Sequence, residues 1–438
     1  YWDTTTYTDG QHTVTVWAND TSGNTNSTTY QYTVDNTEPT VSISSPQQGD
    51  YIATSDVTVT WTGSDNIGVD HYEVSLDNGA PIDVGTNLSH TFKGVGEGSH
   101  NVTVYVYDKA GNMDFDIVVF TVDTQPPIVT IESPSSGAWF NVENVTVTWT
   151  ANDTGSGIDH YEIRLDGGAW INVGLNTSHT FTSLLEGTHT VDVKAVDKAG
   201  NTGTDTVSFG VDLSSPTVSI TSPTDGEYLN TSDVTIQWTG NDATSGIDHY
   251  EVRAMNNTWD SGWIDKGTSP TPTLTGLTED QYIIYVKAID LAGNVGVDTV
   301  SITIDTTAPT VKIDSPSDGA YVRGTVTIQV TWSDTNPDNC TLYIDGSQVT
   351  YWTTTGTVTY DWNTTTYTET THTIEAKAFD KAGNIASDTI TVTVDNTAPT
   401  VTINSPANGS YVRGTVTVQV TWNDANPDKC ELRIDGTL

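Results

Sequence analysis

The sequence is poor in cysteine, in basic residues and in long apolar runs, and each shortage excludes a class of protein. Two cysteines in 438 residues cannot build a disulfide framework. Lys and Arg number 15 against 56 Asp and Glu, giving a formal net charge of −41 that argues against nucleic acid and anionic membranes as partners. No apolar run is long enough to span a bilayer, so we expect no membrane span in this segment.

The sequence is rich in internal repetition. A loop motif occurs as YDKAGN at 107–112, VDKAGN at 196–201, IDLAGN at 289–294 and FDKAGN at 379–384, with a looser NDTSGN at 19–24. A second marker, Asp-x-x-x-Pro, ends at Pro39, Pro127, Pro216, Pro309 and Pro399. Both markers recur in steps of 88, 89, 93 and 90 residues. A shared period of this size predicts a tandem array of domains.

The repeat divides the chain into four complete units between two halves. We expect complete domains at 40–127, 128–216, 217–309 and 310–399, with the second half of a domain at 1–39 and the first half of one at 400–438. The absence of an initiator Met and the cut ends favour a window from a longer chain. The alternative is that the two halves complete each other head to tail between neighbouring subunits.

Alternating apolar residues within a unit predict an all-β fold. Val57, Val59 and Trp61 alternate with threonines, and Tyr72 and Val74 begin a second inward row. The turn at 77–79 has the Asp-Asn-Gly sequence of a tight hairpin. About seven strands fit in each unit, which predicts a two-sheet antiparallel sandwich of about 90 residues.

The units resemble the immunoglobulin-like repeat domains of bacterial and archaeal surface and secreted proteins. The resemblance is carried by DTTAPTVKIDSP at 305–316, by the Trp after the alternating valines and by AVDKAGN at 195–201. It covers all four complete units and both halves. It implies tandem β-sandwich domains arranged as an extended rod. It also implies an extracellular or cell-surface location, with roles such as stalk, adhesin, filament subunit or spacer.

The Asp-x-Ala-Gly-Asn loop has two interpretations. As a turn, Asp197 accepts hydrogen bonds from backbone N–H groups, and Gly200 and Asn201 tolerate left-handed backbone. As part of a metal centre, the loop meets the linker and the loop after the Trp strand at one end of the sandwich, where their oxygen atoms suit calcium. A catalytic loop would need a nucleophile or base beside it, and none stands there.

The candidate calcium ligands form one set at each linker, which we call the first to fourth junctions. The first consists of Asp35, Asp65, Asp70, Asp108 and Asn112, and the second of Asp123, Asp153, Asp159, Asp197 and Asn201. The third consists of Asp212, Asp242, Asp248, Asp290 and Asn294, and the fourth of Asp305, Asp334, Asp338, Asp380 and Asn384. The linker VDNTAP at 394–399 is also similar to the junction segment of cadherins. Calcium is the one cofactor that the sequence suggests.

The histidines and cysteines give weaker evidence for a functional site than the aspartates do. The nine histidines follow the repeat and show no ligand spacing for zinc. Cys340 and Cys430 occupy equivalent places in successive units, too far apart for an intrachain disulfide. We expect free thiols or an interchain link.

Two surface features point to carbohydrate. Twelve Asn-x-Ser/Thr sequons are glycosylation candidates: Asn19, Asn26, Asn87, Asn101, Asn144, Asn152, Asn176, Asn230, Asn256, Asn339, Asn363 and Asn408. Trp259 and Trp263 lie close together in NNTWDSGWIDKG and form a candidate surface for stacking on sugars. The alternative is that these two side chains pack on a sheet edge or on a neighbouring chain.

The sequence therefore predicts a structural protein without catalytic activity. No phosphate loop, nucleophile elbow, HExxH or dinucleotide-binding loop occurs. We expect a rod-like surface stalk, sheath or filament whose partners are other copies of itself, cell-surface components or glycans. The alternatives are an adhesin or carbohydrate-binding surface protein and the spacer region of a larger secreted enzyme.

Overall fold

The strands form where β-branched residues alternate with polar ones. In this computed structural model, which describes residues 1–437, Val57, Val59 and Trp61 are at most 2% exposed, while Thr58 between them and Thr62 after them face solvent. Side chains on a strand point alternately to the two faces, so this alternation buries one face of each sheet. The predicted inward rows are confirmed.

The chain divides into two compact units, and each is described by itself. One comprises Tyr1–Ser214 with Leu291–Asn294, and the other comprises Ser215–Asp290 with the residues from Val295 onward.

The first unit contains one hairpin and two sandwiches. The hairpin strands are Gly10–Asn19 (β1) and Thr25–Val34 (β2). The strands of the first sandwich are Thr40–Ser45 (β3), Tyr51–Ile52 (β4), Val57–Ser64 (β5), Val69–Leu76 (β6), Ile82–Gly85 (β7), Ser89–Phe92 (β8), Gly98–Asp108 (β9) and Met113–Val122 (β10). Those of the second are Ile128–Ser133 (β11), Trp139–Phe140 (β12), Val145–Asn152 (β13), Ile158–Leu165 (β14), Ile171–Gly174 (β15), Ser178–Phe181 (β16), Gly187–Asp197 (β17) and Thr202–Val211 (β18).

The second unit repeats this plan and ends on a two-stranded sheet. Its first sandwich has Thr217–Ser222 (β19), Glu227–Leu229 (β20), Val234–Thr235 (β21), Gln237–Asn241 (β22), Ile247–Met255 (β23), Ile264–Asp265 (β24), Thr273–Leu274 (β25), Asp280–Asp290 (β26) and Val295–Ile304 (β27). Its second has Thr310–Ser315 (β28), Ala320–Val322 (β29), Thr325–Ser333 (β30), Pro337–Ile344 (β31), Ser347–Trp352 (β32), Gly356–Asn363 (β33), Thr371–Asp380 (β34) and Ile385–Val394 (β35). The last strands are Thr400–Ser405 (β36) and Gln419–Asn423 (β37).

Each sandwich packs a three-stranded sheet on a five-stranded one. In the sandwich at 40–127 the strand orders are β3-β5-β8 and β4-β10-β9-β6-β7. The sandwich at 217–309 differs because its Trp-bearing strand is interrupted at Ile236, which splits the small sheet into two pairs. The only helical segments among residues 1–437 are two 3-10 turns, Thr4–Thr6 and Thr364–Thr366. The predicted all-β class is confirmed.

One short strand in each sandwich pairs in parallel, which the sequence did not predict. Tyr51–Ile52 lies beside Thr121–Val122 in parallel register, and β12, β20 and β29 make the same kind of pair with β18, β27 and β35. Two or three residues carry too little periodicity to be recognised as a strand. The remaining ladders are antiparallel, as expected.

An aspartate on the last strand ties the two sheets together at their open edge. The carboxylate of Asp205 accepts a hydrogen bond of 2.8 Å from the backbone N–H of Ile131 on the opposite sheet. The same bond recurs from Ile43 to Asp116, from Ile220 to Asp298 and from Ile313 to Asp388. The inward carboxylate thus satisfies a backbone donor where the sheets separate.

We expect Asp205→Ala to lower the free energy of unfolding of the sandwich at 128–216 by about 1–3 kcal/mol, because the Ile131 N–H loses an ionised acceptor. Hydrogen exchange of the full chain, followed by mass spectrometry on peptides from each domain, measures this. Thr202→Ala, an exposed position on the same strand, is the control. Equal exchange in both variants would contradict the role of the carboxylate.

Candidate metal centres at the interdomain linkers

The Asp-x-Ala-Gly-Asn loop is a side-chain-stabilised turn. Asp108 Oδ1 accepts hydrogen bonds from the backbone N–H groups of Ala110, Gly111 and Asn112 at 2.7–2.9 Å. Gly111 has a φ of +96°, a conformation that favours glycine. The Asn112 side chain closes the loop by donating to Asp108 Oδ2 at 2.6 Å. The predicted turn is confirmed.

The last residue of the motif also holds the linker. Asn201 Nδ2 donates to the backbone carbonyl of Asp123 at 2.7 Å, and Asn112 Nδ2 donates to that of Asp35 at 3.1 Å. Asn384 makes the same bond to the carbonyl of Asp305 at 2.8 Å. The linker is thus fixed to the domain that follows it, a role that a turn motif alone does not indicate.

An acidic side chain of the preceding domain fixes the other side of the linker. The Glu186 carboxylate accepts hydrogen bonds from Leu213 N–H at 2.9 Å and from the Ser214 hydroxyl at 2.6 Å. Asp9, Glu97, Glu279 and Glu369 bind linker residues in the same way. Hydrogen bonds from Thr124 hold the pKa of Glu97 below its ordinary value. We call the pair of bonds that hold each linker, one from the acid and one from the motif Asn, the linker clasp.

The sequence did not predict the acid of the clasp. It lies 27–28 residues before its linker partners, in a loop that shares no motif with them. The signal is a recurrent acid just before the penultimate strand, as in Glu97, Glu186, Glu279 and Glu369. An exposed acid before a strand is too common to be singled out without the contact.

Three of the five predicted ligands come together at the first, second and fourth junctions. Asp35, Asp65 and Asp108 each offer a carboxylate oxygen within 4.8 Å of the other two. The corresponding groups are Asp123, Asp153 and Asp197, and Asp305, Asp334 and Asp380. Each of these three junctions thus combines the linker, the loop after the Trp-bearing strand and the Asp-x-Ala-Gly-Asn turn.

The residues of the third junction are described within their own units. Asp242, in the second unit, accepts hydrogen bonds from the N–H groups of Thr244, Ser245 and Gly246. Asp290 is 1% exposed. In the first unit, Asp212 is fully buried and its carbonyl accepts a hydrogen bond of 2.8 Å from Asn294 Nδ2.

The fourth predicted ligand of each set lies outside these groups. Asp70, Asp159 and Asp248 pair with the Nδ1 atom of the next residue, His71, His160 and His249, at 2.7–2.9 Å. Asp338 accepts a hydrogen bond of 2.8 Å from Asn339 Nδ2. Each of the four is the second residue of its strand and is exposed to solvent. The structure therefore does not bring these four together with the carboxylate groups.

Crowded carboxylates perturb one another at two junctions. Burial raises the pKa of Asp35, and the nearby negative charges of Asp65 and Asp108 act in the same direction. Burial and the charges of Asp305 and Asp380 likewise raise the pKa of Asp334. Like charges in a partly buried site disfavour ionisation of all members at once. A cation would relieve this repulsion.

The donor set fits a hard divalent cation. All three side-chain donors of each group are carboxylate oxygens, the ligands that Ca²⁺ and Mg²⁺ prefer. At the first junction Asp35 Oδ2 and Asp65 Oδ1 are buried and have no hydrogen-bond partner. Buried polar atoms are rarely left unsatisfied, so these two oxygens are available to coordinate a cation.

Three histidines bridge two acceptors. The Nδ1 atom of His372 lies 2.6 Å from Asp345 Oδ2, and its Nε2 atom lies 2.8 Å from the Thr368 carbonyl. His189 and His100 make the same pair of contacts. At His372 and His189, two acceptors require two N–H donors, which only the protonated imidazolium has. The pKa of His372 and that of His189 are raised, because the hydrogen bonds outweigh burial.

The two candidate sugar-binding tryptophans differ in availability. Trp263 is 38% exposed, but Lys287 Nζ lies 4.4 Å from the centroid of its ring and covers one face. Trp170 has the same place in the preceding sandwich and is covered by Lys194 and Arg164. Trp259 is 46% exposed and meets Tyr282 edge to face. Sugar stacking remains a prediction.

The sequons divide by exposure. Nine of the twelve asparagines are exposed, while Asn101, Asn256 and Asn339 are half-buried. Asn256 and Asn339 also use their side chains in hydrogen bonds. The nine exposed sites are the better glycosylation candidates.

Both cysteines are free thiols in the structure. Cys340 is buried, which raises its pKa to about 11, and Cys430 is exposed. A buried thiol that stays protonated is a poor nucleophile.

Family models match most of the sequence. A bacterial Ig domain model matches residues 39–104, 127–193, 216–286, 309–376 and 399–438, which is more than half of the chain. A bacterial Ig-like domain (group 3) model matches residues 1–67. The chain therefore belongs to the bacterial Ig domain family, and the resemblance inferred from the repeats is confirmed.

Similar proteins are much longer than the matched stretch. Halomucin of Haloquadratum walsbyi is 26% identical over 378 residues, which is 72% of this chain and 4% of halomucin. Chitinase A1 of Niallia circulans is 32% identical over 197 residues, which is 43% of this chain and 27% of the chitinase. A crystal structure of a tetra-tandem repeat in the extending region of a large adhesion protein aligns with 82% of this chain and 100% of its own. That alignment has 21% identity and a TM-score of 0.34. Among residues 1–437, no helix has the length and apolarity to cross a bilayer.

Proposed function

We propose that the chain is a non-catalytic structural segment of an extracellular or surface protein. Stacked Ig-like domains would form a rod-like stalk, sheath or filament. The tandem family matches support this proposal, and so does the strongly acidic, self-repelling composition. Its partners would be other copies of itself, cell-surface components or glycans.

The linker clasp is the observation that carries this proposal. Each clasp joins a short linker to an acid of the domain before it and to the motif asparagine of the domain after it, as Glu97 does for Thr124 and Asn201 for Asp123. The proline at the end of each Asp-x-x-x-Pro linker fixes φ as well. A linker held on both sides has little freedom to bend, which suits a spacer that must keep its length.

Calcium would add to this rigidity. The carboxylate groups lie where the linker meets the following domain, and Asp35, Asp65 and Asp108 belong to three separate segments. A bound Ca²⁺ ion would supply the positive charge that cross-links these segments. The residues themselves orient the oxygens through the turn and the clasp.

A second candidate function is the spacer region of a larger secreted enzyme. The similarity to 27% of chitinase A1 favours it, because a non-catalytic array in such a protein would separate functional domains. The same clasped linkers would serve that role. An adhesin that binds sugar through Trp259 is testable on a glycan array, with Trp259→Ala as the matched variant.

We expect small-angle X-ray scattering of the full chain to give an extended particle. Asn201→Ala combined with Glu97→Ala should increase flexibility, measured as a lower maximum dimension and a less structured Kratky profile, because both clasp bonds of one linker are lost. Glu132→Ala, which removes an exposed acid from a strand, is the control. A compact globule for the unmodified chain would contradict the stalk proposal.

A further inference from the structure

The linker carboxylates are not equivalent at the three junctions whose groups are complete within one unit. At the second junction, Asp123 Oδ2 accepts a hydrogen bond of 2.6 Å from Ser156 N–H. At the fourth, Asp305 Oδ2 accepts one of 2.8 Å from Asn336 Nδ2. At the first, Asp35 is only 9% exposed and its Oδ2 atom has no partner. We call a linker Oδ2 atom capped when it accepts such a hydrogen bond. Asp123 and Asp305 are therefore capped, and Asp35 is uncapped.

The loop after the Trp-bearing strand determines which linker carboxylate is capped. The loop that begins at Asp153 ends at Gly157, four positions later, whereas the loop that begins at Asp65 ends at Gly68, three positions later. In the longer loop, Asp123 packs so closely on Gly155 that a Cβ there would lie 2.3 Å from its Cγ. This approach brings the Ser156 N–H onto the carboxylate.

The shorter loop has an amide group, but that group is already engaged. Asn66 Nδ2 donates to Asp9 Oδ2 at 2.8 Å and so does not serve Asp35. The two N–H groups at the end of the loop, from Ile67 and Gly68, both donate to Asp65 Oδ2. Asp65 Oδ1 is left buried without a partner, like Asp35 Oδ2. Two unsatisfied carboxylate oxygens thus belong to one group of three carboxylates.

An N–H donor and a cation compete for the same carboxylate oxygen. A donor at hydrogen-bond distance occupies one lone pair of the oxygen and repels a cation that approaches the same atom, which weakens cation binding there. An uncapped buried oxygen has both lone pairs available and no such competing positive charge. Affinity for a hard divalent cation should therefore follow the capping state of the linker aspartate.

We propose that the first junction is the preferential site for a calcium-class cation and that the second and fourth junctions are built to hold their linkers without one. This inference rests on the proposed function, in which the carboxylate junctions bind calcium. The loop at 65–68 and the donors Ser156 and Asn336 would determine which junction binds the cation. Cation concentration would then set the stiffness of one linker in particular.

Calcium titration calorimetry on the full chain, freed of metal by chelator, tests the assignment. We expect Asp35→Asn to remove one binding event from the tightest phase, while Asp123→Asn and Asp305→Asn leave that phase unchanged. Asn336→Ala should tighten binding at the fourth junction about tenfold, because it uncaps Asp305 Oδ2. Replacing residues 66–68 by the Thr-Gly-Ser-Gly sequence of 154–157 should weaken the first junction by a similar factor.

Hydrogen exchange of each variant without calcium verifies that the domains remain folded. If the unmodified chain binds no calcium, this inference and the calcium part of the proposed function both fail. If it binds calcium and the three Asp→Asn variants lose equal amounts of the tight phase, only the assignment to the first junction fails. Unchanged binding in Asn336→Ala would overturn the capping explanation.

Discussion

Replacing His372 by leucine is expected to lower the free energy of unfolding of the domain at 310–399 by about 2–4 kcal/mol. It should also remove most of the change of that free energy between pH 6 and pH 8.5. The ring is nearly buried, and its two nitrogens lie within 2.8 Å of the Asp345 carboxylate and the Thr368 carbonyl. Hydrogen bonds that involve charged groups contribute about 1.5–3 kcal/mol each. Leucine leaves both acceptors without a partner.

The sign of the pH effect follows from the pKa of the pair. The pKa of His372 is raised above its ordinary 6.5, so the stabilisation is fully present below about pH 6.5 and is lost as pH rises through the folded-state pKa. The pKa of Asp345 is lowered because hydrogen bonds from His372 and Thr373 outweigh burial. Its contribution is present above pH 3.8 and is lost as pH falls through the lowered value. The pair therefore stabilises the domain most between about pH 4 and 6.5.

The aromatic neighbours of His372 are Trp362 and Tyr367, which meet the ring edge to face at 5.9 and 5.4 Å. The domain at 217–309 has Tyr282 in the place of the histidine, with its hydroxyl 3.0 Å from Thr278 Oγ1. That domain is an internal control within the same chain.

Hydrogen exchange at pH 6 and pH 8.5, corrected for intrinsic rates, measures the effect. Peptides from Thr371–Asp380 should exchange relatively faster at the higher pH, while those from Asp280–Asp290 should not. In His372→Leu both sets should respond alike. If the leucine variant keeps the pH response of the unmodified domain, groups other than His372 cause that response.

The strands and cores were predictable because their signal is local. Val57, Val59 and Trp61 alternate within one strand, and the structure buries all three. The Asp-x-Ala-Gly-Asn turn is equally local, since Asp108 binds residues two to four positions ahead. Short-range periodicity and turn chemistry are what a single sequence expresses most clearly.

The contacts that build the junctions were only partly predictable, because they join distant segments. Repeat spacing placed Asp123, Asp153 and Asp197 at one end of the sandwich, and the structure brings them together. Nothing local indicated that Asp159 would turn to His160 or that Glu186 would hold Ser214. The histidine pairs, such as His189 with Asp166, were not predicted for the same reason, because the two residues of this pair are 23 positions apart in the sequence.

Replacing Gly210 by threonine is expected to destabilise the domain at 128–216 by about 2–3 kcal/mol, although the equivalent residue elsewhere is threonine. Gly210 is buried beside Trp139 in the parallel strand pair, and a Cβ there would lie 2.2 Å from the Trp139 ring. Overpacking of this kind typically costs about 1–3 kcal/mol. The other sandwiches pair tyrosine with threonine at this place: Tyr51 with Thr121, Tyr228 with Thr303, and Tyr321 with Thr393.

This complementarity explains the additional tryptophan at 139, because its ring covers a glycine that would otherwise leave a gap in the sheet. Trp139→Tyr combined with Gly210→Thr recreates the pair found in the other three sandwiches and should recover most of the loss, a coupling of about 2 kcal/mol. Ser208→Thr, which adds a methyl group at an exposed position of the same strand, should change stability by less than about 0.5 kcal/mol. Domain-resolved hydrogen exchange measures all four variants. If the double variant is as unstable as the two single changes added together, the tryptophan and the glycine are independent, and the close approach of the ring does not explain why glycine stands there.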